Sequence, residues 1–197
     1  MNPVELTLFS SRMNAICDEM GGVLRRAAFS PNIRDRLDFS CAIFDAAGEL
    51  CAQAAHIPVH LGAMGLCVRE LVARRPLQPG DVVVTNHPAF GGSHLPDVTL
   101  VAPAFLGDRL LGYVACRAHH AEIGGVRPGS VPPNARSLAE EGVEVDLDVA
   151  GALALDAPVW HLPAARFMPG DPADHGQRLV YPVRFGDTLE LLAYGLE

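Results

Sequence analysis

The chain has 197 residues and a mass of 21.0 kDa, enough for one domain with a real core or one domain with a smaller appendage. Hydrophobic residues make up 49% and charged residues 19%, which excludes a disordered polypeptide. A formal charge of −8, a pI of about 5.4 and the lack of a long Lys/Arg run exclude a binder of nucleic-acid backbones.

The first predicted element is a helix. Asn2 caps it, Pro3 suits its first turn and Glu5 stands three residues after the cap. Leu6, Phe9, Met13, Ile16, Met20, Val23, Leu24 and Ala27 recur at helical spacing, which assigns this helix to the core. Gly21 and Gly22 interrupt the pattern, for a close backbone neighbour or a kink. The same segment lacks the basic start and continuous apolar run of a signal peptide. No stretch approaches the roughly 20 apolar residues of a membrane span, so a cytoplasmic protein is expected.

Residues 39–54 read as a hairpin turning at Asp45–Gly48, and 61–75 as a second helix stopped by Pro76. A turn at 79–81 leads into a short buried strand at 82–85. Residues 98–105 and 110–118 flank the turn LGDR and form another hairpin. Residues 124–136 are a Gly/Pro-rich loop, and 143–149 alternate like a half-exposed strand. From 146 to 197 the composition changes, and 179–185 with 188–196 could close a last hairpin. The expected fold class is α+β, antiparallel hairpins packed with two main helices, with a boundary between 1–145 and 146–197.

The five cysteines are odd in number and none are in Cys-x-x-Cys spacing, which fits scattered reduced thiols rather than a zinc-thiolate site. The histidines are more informative. Six of eight lie between positions 56 and 120: His56, His60, His87, His94, His119 and His120. If the second hairpin turns near Gly107–Asp108, facing residue numbers sum to about 215. His-x-x-Asp at His94 and Asp97 then faces positions about 118–121, where His119 and His120 stand. Two imidazoles and a carboxylate with open positions are the ligand set of a catalytic mononuclear metal site. Register decides which histidine points inward. His119 is favoured as the ligand, and His120 as an outer contact of the metal or substrate. The bland alternative has His94 capping a turn and the histidine pair bonding to backbone. Glu122 is a candidate general base, or else a solvated acid that orients His120. His56 and His60 are expected in structural roles. Gly91, Gly92, Gly124 and Gly125 suit close backbone approach or positive φ. No nucleotide-binding glycine loop is present, so any use of ATP belongs elsewhere.

Four blocks carry a family resemblance: SPNIRDRLDFSCAIFD (30–45), AAHIPVHLGAM (54–64), GDVVVTNHPAFGGSHLPDVTLVAP (80–103) and RAHHAEIGGVRPGSVPP (117–133). Together, from about residue 3 to about 145, they resemble the hydantoinase B/oxoprolinase family, which includes subunits of acetone carboxylase. The resemblance implies a subunit that opens a cyclic amide of the hydantoin or 5-oxoproline type. It implies an ATP-using A-type partner, an oligomeric assembly, and a divalent metal (Mn, Zn or Fe) held by His94, Asp97 and His119. Alternatives are a carboxylation subunit like that of acetone carboxylase, or a truncated, non-catalytic remnant that docks on a partner. A mononuclear iron oxygenase ranks below these. The chain departs from the family pattern at His87, where Asp is usual, at Ser93, where Thr is usual, and at Glu122, where Asp is commoner. Full family members are more than twice as long, and nothing of the family is recognisable from about residue 146.

Overall fold

The computed structural model describes residues 2–144, 162–163, 180–185 and 188–193. Helix α1 (Pro3–Ala27) begins as the sequence predicts. The Asn2 side chain accepts the Glu5 N–H at 2.9 Å and the Glu5 carboxylate accepts the Asn2 N–H at 2.8 Å, so two free helix donors are satisfied reciprocally. The helix passes through Gly21 and Gly22 without a break. Gly21 serves close approach: an added Cβ would overlap the His56 ring and come 3.1 Å from the Phe39 ring.

The assignment of the whole helix to the core needs correction. Cys17, Gly21, Val23 and Leu24 are buried, and Met13 and Met20 pack beside them. Leu6, Phe9 and Ile16 are 51%, 49% and 42% exposed. The reason is length. A helix of 25 residues spans about 37 Å, whereas strands of 6 and 7 residues beneath it span roughly 20–24 Å. The first turns of α1 therefore extend past the strands that cover its second half.

After a short helix α2 (Pro31–Arg34), strands β1 (Phe39–Asp45) and β2 (Leu50–Ala55) form the first predicted hairpin. The Asp45 carboxylate accepts the N–H groups of Ala47 and Glu49 at 2.9 Å, which closes the turn. A 3-10 turn at Pro58–His60 leads into α3 (Leu61–Arg74), followed by β3 (Asp81–Thr85). A second such turn, Pro88–Phe90, precedes β4 (Asp97–Leu106) and β5 (Arg109–His119). Then come α4 (Leu138–Glu141), which the sequence reading did not include, β6 (Leu162–Pro163), β7 (Val180–Phe185) and β8 (Thr188–Ala193).

The main sheet has the order β2-β1-β5-β4-β3-β6, and β7-β8 form the separate hairpin expected at the chain end. Every pairing is antiparallel, in keeping with the α+β expectation. Of the strand expected at 143–149, Val143 and Glu144 have no regular structure. Residues 145–149 lie outside the described residues, as does the expected boundary at 146.

The β4–β5 register positions the site. Asp97 faces His119, Thr99 faces Arg117 and Ala104 faces Gly112, and a bulge between Ala104 and Phe105 shifts the pairs nearer the turn. That one-residue shift decides the face of every residue between bulge and site. Asp97, Thr99, Arg117 and His119 consequently share one face with Ser40, which stands opposite Arg117. Phe39, Cys41, Val98, Cys116 and Ala118 point to the other, buried face, where Gly21 of α1 meets Phe39.

Candidate metal centre

Asp97 opens β4, His119 closes β5, and the ladder sets them opposite each other. The Asp97 carboxylate is 1% exposed. Its Oδ1 lies 2.9 Å from His119 Nδ1. Its Oδ2 accepts the Ser93 hydroxyl at 2.5 Å and lies 3.3 Å from His94 Nδ1. The turn that delivers His94 is built by local geometry: Gly91 adopts φ 75°, and the Asp97 N–H donates to the His94 carbonyl at 3.1 Å. The rings of His94 and His119 are 4.9 Å apart between centroids. One donor atom from each of His94, Asp97 and His119 falls within 4.8 Å of the others, and this is the one such group found among the described residues.

Burial disfavours ionisation of Asp97, but the hydrogen bonds from His119 and Ser93 and the nearby His60 and His94 rings outweigh it and hold the carboxyl far below the usual range. The carboxylate is therefore ready to serve as an anionic ligand. The hydrogen bond to Asp97 raises His94 against the opposing effect of burial. On the outer side of the site, Ser130 Oγ lies 2.9 Å from His119 Nε2. Without an ion, Nδ1–H donates to Asp97 and Nε2 accepts from Ser130; with an ion bound, a proton moved to Nε2 and given to Ser130 would leave the Nδ1 lone pair for the ion. Two imidazoles and a carboxylate arranged in this way fit a divalent ion.

The remaining expected residues fall around this set. His120 follows His119 and donates its backbone N–H to the Pro96 carbonyl at 2.9 Å. Burial and the neighbouring His119 lower its pKa to about 4 despite Asp97, so it is neutral near pH 7. Glu122 Oε1 accepts the N–H groups of Ile123 at 3.0 Å and Gly124 at 2.7 Å. That oxygen clasps its own turn. His87 Nδ1 accepts the Ala89 N–H at 3.0 Å, and its Nε2 lies 3.7 Å from Glu144. His56 stands apart from the site, its ring 4.3 Å from that of Phe39.

Sequence reasoning gave too little weight to three residues. His60 is buried and its Nε2 lies 3.7 Å from Asp97 Oδ1. Asp38 lies 3.9 Å from the same nitrogen. Arg117 is fully buried on the site face; its Nε donates to Thr99 Oγ1 at 2.7 Å, and its two terminal nitrogens reach the Gly91 carbonyl at 3.4 Å. Arg117 was recoverable, because strand alternation places it on the face of His119, two residues away. The approach of His60 had no comparable signal, since the turn at 58–60 follows neither period.

Comparison with known proteins adds to this geometry. A family model described as hydantoinase B/oxoprolinase matches residues 2–148. The chain is 50% identical over 148 residues to the 5-oxoprolinase of Saccharomyces cerevisiae, an alignment that covers 74% of this chain and 12% of that protein. Its fold resembles the ATP-dependent caprolactamase of Pseudomonas jessenii with a TM-score of 0.64 and 26% identity, over 74% of this chain and 25% of the other. It also resembles acetone carboxylase with a TM-score of 0.60 and 23% identity, over 65% of this chain and 17% of the other. The last likeness shows a shared fold alone. The chain thus spans about an eighth of the yeast relative (12%) and a quarter of the caprolactamase chain (25%).

Proposed function

Since the chain belongs to the hydantoinase B/oxoprolinase family, we propose that it supplies the metal-holding part of an enzyme that opens cyclic amides with an ATP-using A-type partner. The observation that carries this reading is the convergence of donor atoms from His94, Asp97 and His119 within 4.8 Å. The names of two similar proteins support the substrate class, since 5-oxoproline and caprolactam are both cyclic amides. The sequence has no phosphate-cradling glycine loop of known pattern, so the reading gives ATP to a separate subunit. Carboxylation of a ketone is the second enzymatic reading, and the likeness to acetone carboxylase supports it only through the fold.

A divalent ion held by these three residues would supply Lewis acidity toward an amide carbonyl. The chain's own residues do the rest. Asp97 remains ionised and is fixed by Ser93. Ser130 fixes the His119 ring. His120 stays uncharged and can accept a hydrogen bond beside the site. The base role falls to Glu122 through Oε2, because Oε1 is engaged by two backbone amides.

The test is a product assay with 5-oxoproline, hydantoin and caprolactam, each with ATP and Mn²⁺ or Zn²⁺. The purified chain is assayed alone and with an A-type subunit and the remaining segments of a family-length B chain. Ring-opened product should form only in the complete mixture and should vanish with His94→Ala. Product formation unaffected by His94→Ala would overturn the reading.

A further inference from the structure

We infer that His60, held by Ser40, is a positioning residue for the metal centre: it orients the Asp97 carboxylate from beside it on the same face of the sheet. The inference rests on the metal-holding reading above and deepens it. His60 is 1% exposed and stands at the residue before α3, with no side-chain hydrogen bond to the helix end. Its Nδ1 lies 3.1 Å from Ser40 Oγ. Its Nε2 has no hydrogen-bond partner, although it is buried. Two carboxylate oxygens stand in front of that nitrogen, Asp97 Oδ1 at 3.7 Å and Asp38 Oδ1 at 3.9 Å.

The two carboxylates select the tautomer, because an Nε2 lone pair facing them would be repelled whereas an Nε2–H is attracted. Ser40 Oγ is 3.4 Å from the Ile57 carbonyl, a longer contact than the one to His60 Nδ1. When the hydroxyl donates to Nδ1, the proton of neutral His60 must sit on Nε2 and point between the two carboxylates. A buried N–H needs an acceptor, and Asp97 and Asp38 are the acceptors in front of it. The backbone favours the arrangement on the far side as well. Leu37 adopts φ 57°, an uncommon conformation for a branched residue, and directs the chain into Asp38 at the entrance to β1. The Asp38 carbonyl then accepts the His119 N–H at 2.9 Å, so Asp38 is tied to the ligand strand by its main chain. On the solvent side, Ser93 holds Asp97 Oδ2. His119 holds Oδ1 at 2.9 Å; the His60 Nε2–H, its nitrogen 3.7 Å from the same oxygen, attracts it electrostatically and would keep the carboxylate oriented when His119 Nδ1 turns to an ion.

The test uses Co²⁺ titration of the metal-stripped full chain, read by visible absorption. The variants are His60→Leu, His60→Gln and Ser40→Ala, with Asp97→Ala as the control for the site itself. Gln keeps an N–H near the position of Nε2, whereas Leu does not. Outer-shell partners typically change metal affinity by about 10- to 100-fold. His60→Leu should weaken Co²⁺ binding within that range and alter the absorption bands. His60→Gln should recover most of the affinity and the wild-type spectrum. Ser40→Ala, a small change that preserves the fold, should weaken binding several-fold. A merely structural histidine would lower thermal stability alike in both His60 variants and leave affinity and spectrum unchanged. Wild-type affinity and spectrum in folded His60→Leu, or in Ser40→Ala should His60→Leu not fold, would overturn the inference while Asp97→Ala still abolishes binding. Co²⁺ binding that survives Asp97→Ala, or its absence in the wild type, would overturn the metal reading and this inference with it.

Discussion

Asp97 and His119 face each other at the first rung of the β4–β5 ladder, and their side chains meet at 2.9 Å. This contact joins the fold to the site. Each residue sits at the end of its strand that lies away from the turn, so a hairpin of ten and eleven residues per strand fixes their separation. The bulge at Ala104 and Phe105 sets the register that puts them on one face. Any change that slips this register separates the carboxylate from the imidazole.

Arg117 continues the same face inward and predicts a stability effect. Arg117→Ala would leave a cavity, strip Thr99 Oγ1 of its donor and free the Gly91 carbonyl. The expected loss is on the order of 3 kcal/mol in urea unfolding, combining a large-to-small cavity with unsatisfied polar groups. Arg117→Lys should restore little, because an ammonium cannot reproduce the fork that spans Thr99 and Gly91. A change within about 0.5 kcal/mol, the range of ordinary surface substitutions, would contradict this role.

The sequence made much of this architecture legible, for physical reasons. Asn2, Pro3 and Glu5 placed the start of α1, and the turn residues around Gly48 and Gly107 placed both hairpins. The histidine pair lay where strand pairing returns it to His94 and Asp97. What remained hidden depended on contacts across the fold. The apolar periodicity of α1 could not reveal where the sheet ends beneath it, so Leu6, Phe9 and Ile16 were assigned to the core. The 3-10 turn that aims His60 at Asp97 has no periodic signature. The engagement of Glu122 by Ile123 and Gly124 is local, but it depends on a loop conformation that a run of Gly and Pro leaves open.

Gly21 gives a prediction whose sign is set by competing terms. In a free helix, Gly→Ala stabilises by about 1 kcal/mol. Here the added methyl would overlap the His56 ring and press on Phe39, and overpacking typically costs about 1–3 kcal/mol. Gly21→Ala should therefore lower the thermal midpoint, while an added stability in the variant would show that the His56 ring moves aside freely.

His56 predicts a pH dependence remote from the metal ligands. Burial lowers its pKa below the ordinary 6.5, with Asp18 opposing and Arg25 assisting. The unfolded chain takes up the proton near 6.5, and the folded chain takes it up only at lower pH. In that window the unfolded state binds more protons, so stability falls as pH drops through it. Thermal melts with chelator should show the midpoint of wild type decreasing from about pH 7 to about pH 5. In His56→Leu this component should disappear, and an unchanged slope would assign the acid sensitivity to other groups.

The central claim is that His94, Asp97 and His119 hold one divalent ion, and elemental analysis of the purified chain tests it most directly. The account predicts close to one equivalent of Mn, Zn or Fe per chain in the wild type and almost none in folded Asp97→Ala. Full metal occupancy in Asp97→Ala, or no metal in the wild type even after incubation with each ion, would contradict it.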